Sequence, residues 1–248
     1  MVSLLETLLL SAVMGLSIFL SMPFISFLRV SDIRIRFFSS LAAGILIFLI
    51  GDVFSDASGM LYNGSLYGYG SNPYYDSVFF ISLVIGFLAL LFLEGRSGIQ
   101  SQYRISFMIA LGIGFQNLTE GLVFGSLSTS IGLVSVTVVV LVGFVLQNLT
   151  EGLPIVSPFF GKPGVKPALL ASLLMMGGLP TIIGGSIGFF YTSDTLALVF
   201  EGLAIGSMLY VILPILRAVL RDGEISVRKY SYIGTFIGFA LGFVVNLL

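Results

Sequence analysis

Two copies of one seven-residue segment contain the side chains in this chain that are best suited to bind a cation. The first copy is Gln116-Asn117-Leu118-Thr119-Glu120-Gly121-Leu122, and the same seven residues recur 31 positions later, as residues 147–153. In each of these twin segments the glutamine precedes the glutamate by four residues, so on an α-helix the two share a face, about 6 Å apart along the axis. Carboxylate and carboxamide oxygens are ligands for divalent cations, and two carboxylates neutralise one such ion.

The twin segments lie on consecutive predicted helices that are joined by a short connection, so the two helices run antiparallel. Facing each other, the helices place Gln116 level with Glu151. The same register places Glu120 level with Gln147. The sequence therefore predicts that these four side chains converge on one point near the middle of both helices.

Each twin segment also contains an asparagine directly after the glutamine. Asn117 and Asn148 lie about 100° round the helix from their glutamines, and we predict that they line a second oxygen-rich position beside the first. Each glutamate would then bridge two metal ions through its two oxygens. The alternative is that protonated carboxyl groups only hydrogen-bond the facing amides and hold the helices together. Two copies with an added asparagine favour metal binding, because helix pairing needs fewer polar groups.

Three further acidic residues lie inside apolar stretches, where an ionisable side chain is costly and indicates function. Asp52 and Asp56 share a helix face and are predicted to attract cations or to carry protons, although a solvated helix end is the alternative for Asp56. Glu201 is predicted to be a third carboxylate near the site or a proton acceptor.

These residues belong to eight apolar stretches, each long enough to cross a bilayer of about 30 Å as a helix. The predicted helices cover residues 4–28, 37–60, 77–94, 105–127, 131–157, 168–191, 195–216 and 230–248. Hydrophobic residues make up 57% of the 248 residues and charged residues only 9%, against about 25% charged residues in soluble domains. The predicted fold is therefore all-α: a polytopic membrane protein with eight transmembrane helices in one domain, residues 1–248, whose solvent is the lipid bilayer.

The composition also excludes several kinds of chemistry. The chain contains no cysteine and no histidine, so thiolate and imidazole ligands, cysteine nucleophiles and histidine bases are excluded. An intramembrane enzyme would need a carboxylate pair such as Asp52 and Asp56, and no protease motif surrounds them. We therefore predict that the chain is not an enzyme. The net charge of −1 and the lack of a basic patch predict no nucleic-acid partner.

All 11 basic residues fall in odd-numbered connections between the predicted helices, or beside them. They are Arg29, Arg34, Arg36, Arg96, Arg104, Lys162, Lys166, Arg217, Arg221, Arg228 and Lys229. With eight helices these connections share one side of the membrane, which the positive-inside rule identifies as cytoplasmic. Both termini are then predicted to lie outside, in a protein of the cytoplasmic (plasma) membrane.

The twin segments resemble the metal-binding helices of the ZIP (Zrt/Irt-like) family of divalent metal-ion transporters. That family has eight helices with both termini outside. Its fourth helix carries a His-Asn-x-x-Asp/Glu-Gly pattern and its fifth a similar one, which together form a binuclear metal site. The resemblance implies one metal position at Gln116, Glu120, Gln147 and Glu151, and a second at Asn117, Glu120, Asn148 and Glu151, with both glutamates bridging. Residues 52–57 also resemble the acidic end of the family's second helix.

The chain departs from the family pattern at positions that bear on the metal more than on the fold. Gln116 stands where the family usually has histidine. Leu179-Pro180 stands where the sixth helix of many members has Glu-Pro, and the acidic end of the seventh helix is missing around Leu213-Pro214. A short turn at 95–103 replaces the histidine-rich loop. An all-oxygen site suits harder ions such as Mn²⁺, Fe²⁺ or Mg²⁺, whereas the resemblance places Zn²⁺ first.

The sequence and the resemblance together predict a secondary transporter (carrier) of divalent transition-metal cations, with Zn²⁺ first and Fe²⁺ or Mn²⁺ next. The metal ion is the transported substrate, and no organic cofactor is predicted. The resemblance further implies a homodimer, two rigid helix bundles and transport into the cytosol. The alternatives are a passive divalent-cation pore that uses the same residues and a membrane scaffold that transports nothing.

Overall fold

The structure is a computed structural model that describes residues 2–23, 32–62, 72–96, 101–130, 135–191, 193–220 and 225–247. These ranges contain eight α-helices: α1 Leu4–Leu16, α2 Asp32–Leu61, α3 Pro73–Arg96, α4 Ser101–Ser130, α5 Ser135–Val156, α6 Pro167–Phe190, α7 Asp194–Leu220 and α8 Ile225–Asn246. Two short 3₁₀-helices are present at Ser17–Ser21 and Ser157–Phe159. No described residue is in a β-strand, so the prediction of an all-α fold is confirmed. Arg29 and Arg221, two of the basic residues in the predicted connections, lie outside the described residues.

Seven helical stretches in the described ranges are long and apolar enough to cross a membrane. They are Leu4–Ser21, Ile33–Leu61, Pro73–Phe92, Gln102–Ser130, Val140–Phe159, Pro167–Phe190 and Asp194–Arg217. Large apolar side chains cover the outer surface; Phe190, for example, is 73% exposed and Phe236 is 72% exposed. A lipid environment explains these exposed side chains, because burying them in hydrocarbon is favourable. The fold is therefore that of an integral membrane protein.

α8 is not among those seven stretches, although an eighth transmembrane helix was predicted over 230–248. α8 has the charged pair Arg228 and Lys229 near its start and ends at Asn246, so polar residues bound its apolar run at both ends. α8 nevertheless packs along α2 over much of its length.

The first predicted helix, residues 4–28, is not one continuous α-helix. The α-helix ends at Leu16 and continues as a 3₁₀-helix over Ser17–Ser21, and residues 24–28 lie outside the described ranges. The Ser17 hydroxyl donates to the carbonyl oxygens of Met14 (2.6 Å) and Val145 (3.0 Å). Serine hydroxyls compete with the backbone for helical hydrogen bonds, which accounts for the tighter turn at this point. The turn also attaches the first helix to α5.

The helices form two groups, one of α1, α4, α5 and α6 and the other of α2, α3, α7 and α8. Within the first group α4 packs most closely on α6, because Gly121 and Gly184 bring the two backbones together: an added Cβ would meet the carbonyl oxygens of Thr181 and Leu118. Within the second group α3 packs on α7 through Gly206, and α2 packs on α8.

Three glycines of α8, spaced four residues apart, form a ridge that packs against α2. A Cβ added at Gly234, Gly238 or Gly242 would meet α2, at Ser40, Leu41 and Phe48 respectively. Glycine at these positions therefore allows close contact between two helices of the same chain.

α4 and α7 form the main contact between the two groups. The rings of Phe115 and Phe200 stack with centroids 6.5 Å apart and planes inclined by 19°. One and two turns away, Gly112 lies against Ser207 and Met208. These contacts place the middle of α4, which carries the first twin segment, directly against α7.

Candidate metal site

The twin segments face each other across α4 and α5 in the predicted register. Gln116 Nε2 donates to Glu151 Oε1 over 3.2 Å, and Gln147 Nε2 donates to Glu120 Oε1 over 2.7 Å. Gln116 Nε2 also donates to Glu120 Oε1, one turn along the same helix, over 3.2 Å. The two glutamines and two glutamates therefore converge on one point, as the four-residue spacing and the antiparallel helices predict.

The two asparagines lie beside this point, also in contact with each other. Asn117 Nδ2 donates to Asn148 Oδ1 over 2.8 Å and to the Gly177 carbonyl oxygen of α6 over 2.9 Å. Asn148 Nδ2 donates to the Phe144 carbonyl oxygen over 3.0 Å and is 3.4 Å from Glu120 Oε2. Glu120 thus directs Oε1 to the glutamines and Oε2 to Asn148.

All six polar side chains are buried within the helix bundle. The most exposed is Glu120, at 7%, whereas Asn117, Asn148 and Glu151 are fully buried. Two carboxyl groups at this depth cannot be solvated by bulk water, so they must be compensated by the amides, by protons or by a cation.

Three oxygen atoms of this cluster have no hydrogen-bond donor: Gln116 Oε1, Asn117 Oδ1 and Glu151 Oε2. Buried acceptors of this kind are costly unless something compensates them. Rotation of a carboxamide by 180° exchanges its oxygen and nitrogen positions, so the amides that now donate to the glutamates can instead turn oxygens towards the same point. The donor set fits a hard or borderline divalent cation.

Local features of the sequence fix the shape of both segments. The Thr119 hydroxyl donates to the Phe115 carbonyl oxygen, four residues earlier, over 3.3 Å. The Thr150 hydroxyl instead donates to the Gln147 carbonyl oxygen, three residues earlier, over 2.7 Å. Such bonds fold the threonine hydroxyls back onto their own helices, so threonine shapes both segments.

A cavity of about 550 Å³ borders the cluster and brings the other predicted residues to it. Gln116, Glu120 and Gln147 line the cavity together with Asp52 and Asp56 of α2 and Glu201 of α7, and Met60 and Asn246 line it near the helix ends. The other lining residues are apolar apart from Thr119. Asn117, Asn148 and Glu151 do not line it. The structure therefore connects the twin segments to the end of the bundle where α2, α4 and α8 finish, through a space whose lining includes four acidic residues.

No three acidic side chains in the described ranges are grouped so that they could hold one metal ion together. Glu201 lines the cavity but does not form such a group with both glutamates, so its role as a third carboxylate or a proton acceptor stays a prediction.

Three functional contacts were not predicted from the sequence. Asn246 Nδ2 donates to Asp52 Oδ1 over 2.6 Å, and the Gly177 and Phe144 carbonyl oxygens accept from the asparagines. The sequence signal for Asn246 was that it is an isolated amide near the end of the last apolar run. No sequence signal identified the two backbone carbonyl oxygens as acceptors.

A second cavity, of about 310 Å³, lies at the opposite end of the bundle. Arg36 and Ser39 of α2 line it together with Ser157 and Lys162, which follow α5. The two charged residues that line this cavity are basic, whereas the four that line the larger cavity are acidic.

No protein-family model matches the chain, and no curated protein matches it either.

Proposed function

We propose that this protein is a carrier of divalent transition-metal cations, with Zn²⁺ as the first candidate and Fe²⁺ or Mn²⁺ next. The observation that carries the proposal is the cluster between α4 and α5: two glutamates and four carboxamides, buried in a membrane-spanning bundle, with three acceptor oxygens that no donor satisfies. A cation placed among them would compensate both the charges and the unsatisfied oxygens.

The arrangement of Glu120 supports a binuclear site. Its two carboxylate oxygens face different amides, Oε1 towards the glutamines and Oε2 towards Asn148. A metal ion in each direction would be bridged by this carboxylate, while Glu151 supplies the facing charge. Two metal ions bound in this way would take their ligands from α4 and α5 alone. They would therefore move with these two helices as one unit.

The two cavities support a direction of transport. The acidic residues of the larger cavity would concentrate cations beside the site, and the basic residues of the smaller one lie at the end that the positive-inside rule assigns to the cytoplasm. In this proposal both termini lie outside, in the plasma membrane, and the metal reaches the site from outside. The division into two helix groups is compatible with movement of α1, α4, α5 and α6 against the rest, which would expose the site alternately.

The likeness of the twin segments to the ZIP family supports the same function and implies a homodimer. The rival interpretation is a scaffold in which the amide–carboxyl hydrogen bonds only hold α4 to α5. The observed hydrogen bonds from Gln116 and Gln147 to the facing glutamates are those that a scaffold would make. The test must therefore distinguish a role in transport from a role in stability.

The test is metal uptake into proteoliposomes that contain the purified protein, measured with Zn²⁺, Fe²⁺, Mn²⁺, Co²⁺, Ni²⁺, Cd²⁺ and Mg²⁺. A Glu120→Gln/Glu151→Gln double variant keeps the side-chain shapes and removes both charges. Asp194→Asn, an exposed acid at the start of α7, is the matched control. We expect saturable, selective uptake in the wild type and the control, and none in the double variant.

Uptake that survives in the double variant, or its absence in a well-folded wild type, would contradict the proposal and favour the scaffold. Uptake that depends on the twin segments but does not saturate would identify a passive pore instead.

A further inference from the structure

Glu201 is a buried carboxylate that the proposed site leaves without a role. It lies on α7, in the helix group that does not carry the twin segments, and only 3% of its surface is exposed. Its Oε2 atom has no hydrogen-bond partner, although the side chain lines the larger cavity. A packed scaffold gains nothing from such a group, because an unpaired carboxylate inside a membrane protein is costly.

The contact between α4 and α7 places Glu201 beside Gln116. The rings of Phe115 and Phe200 stack across the two helices, and the next residue on each helix, Gln116 and Glu201, lines the same cavity. Gln116 Oε1 also has no donor. One unsatisfied amide oxygen and one unsatisfied carboxylate oxygen thus belong to residues of α4 and α7 that line the same cavity.

We propose that Glu201 and Gln116 bind a further divalent cation in this cavity, between α4 and α7, and that water supplies its remaining ligands. Asp56 of α2 lines the same cavity and adds negative charge. The inference rests on the proposed function, because it assigns this ion the step before transfer to the twin segments. It is a site of its own, because no three acidic groups of the described residues share one ion.

The ligands at this position determine how tightly it binds an ion and how the bound ion affects the two helix groups. One carboxylate and one amide make a weaker site than two carboxylates and several amides, and partly hydrated binding suits a hard ion such as Mn²⁺. The ligands belong to different helix groups, so an ion here ties α4 to α7. The ion must leave Glu201 before the groups can move, and Gln116, which belongs to both sites, can pass it to Glu120 and Glu151.

The experiment is Mn²⁺ binding to the purified full-length chain in detergent, with free Mn²⁺ measured by electron paramagnetic resonance. Glu201→Gln keeps the shape of the side chain and removes its charge, and Asp194→Asn is an acid-to-amide control on the same helix. We expect Glu201→Gln to bind one Mn²⁺ per chain fewer, with loss of the weaker class of sites, and the control to match the wild type. Equal stoichiometry and affinity in Glu201→Gln and wild type would overturn the inference.

The Glu120→Gln/Glu151→Gln double variant separates this inference from the proposed function. If the double variant loses the tight sites while Glu201→Gln changes nothing, the function stands and the Glu201 site is wrong. If the wild type binds no Mn²⁺, the Glu201 site is wrong, and the uptake assay with Zn²⁺ and Fe²⁺ decides the proposed function separately. If Glu201→Gln does not fold, Glu201→Asp is used instead, because it keeps the charge but shortens the side chain. The weak site should then persist with its affinity for Mn²⁺ lowered about tenfold. Unchanged affinity would count against the site.

Discussion

The twin segments have the same seven residues but different surroundings. Glu120 accepts from Gln147 over 2.7 Å, has Asn148 beside its other oxygen, and lines the acidic cavity. Glu151 is fully buried, does not line the cavity, and has no donor for its Oε2 atom. The comparison teaches that a repeated motif need not give equivalent sites: one glutamate lines the cavity and the other does not.

The helices that pack behind each segment cause this difference. Behind the first segment, Gly121 faces the backbone of α6, at the Thr181 carbonyl oxygen. Behind the second, Gly152 faces the 3₁₀-helix after α1, at Ser21 and the Ile18 carbonyl oxygen. α4 also contacts α7 of the other group, so its glutamate borders the space between the groups. The glutamate of α5 is fully buried and does not line that space.

The largest expected effect comes from removing one carboxylate at a time. Glu120→Gln should lower metal uptake about 100-fold, because removing one partner of a buried charge arrangement costs about 3 kcal/mol. Glu151→Gln should lower it about tenfold, since the bridging, cavity-facing carboxylate remains. The measurement is initial uptake into proteoliposomes over a range of metal concentrations. Equal losses in the two variants would show that the two segments are equivalent in function, against the asymmetry of the structure.

The convergence of the twin segments could be predicted from the sequence, because it depends only on local rules. The four-residue spacing fixes which side chains share a helix face, and a short connection makes the two helices antiparallel. The Gly234, Gly238 and Gly242 ridge was predictable for the same reason, since its spacing alone defines a smooth helix face.

The asymmetry could not be predicted, because it depends on contacts between helices that are far apart in the chain. The bond from Asn246 to Asp52 joins residues 194 positions apart, and no local pattern announces it. The change from α- to 3₁₀-helix at Ser17 likewise reflects a bond to the Val145 carbonyl oxygen, 128 positions away. Identical sequence in the two segments contains no information on which of them faces the cavity.

The next prediction concerns the pH dependence of metal affinity, which reports how many carboxyl groups lose a proton when the metal binds. A carboxyl group binds a cation only when it is deprotonated, so protons compete and metal affinity falls as the pH falls. Two competing protons per ion should make the logarithm of the dissociation constant change by about two per pH unit in acid, and one carboxylate by about one. Titration of Mn²⁺ binding from about pH 8 to about pH 3, a range that extends below the ordinary pKa of a glutamate carboxyl group, about 4.3, tests this in the wild type and in Glu151→Gln.

A slope that is no steeper in the wild type than in Glu151→Gln would show that Glu151 does not exchange its proton for the metal. Binding that stays constant over the whole range would contradict release of the metal by protonation altogether.

The smallest effect tests the packing that makes the two segments unequal. Gly121→Ala and Gly152→Ala should each destabilise the fold by about 1–3 kcal/mol through overpacking, measured by thermal unfolding in detergent. Gly51→Ala is the control, because a Cβ there meets nothing. The two variants should differ in rescue: Ser21→Gly removes the side chain that lies against Gly152 and should restore part of the loss, whereas the neighbours of Gly121 are backbone atoms of α6 that no substitution removes. If Ser21→Gly gave no recovery in Gly152→Ala, the 3₁₀-helix after α1 would not be what distinguishes the second segment from the first.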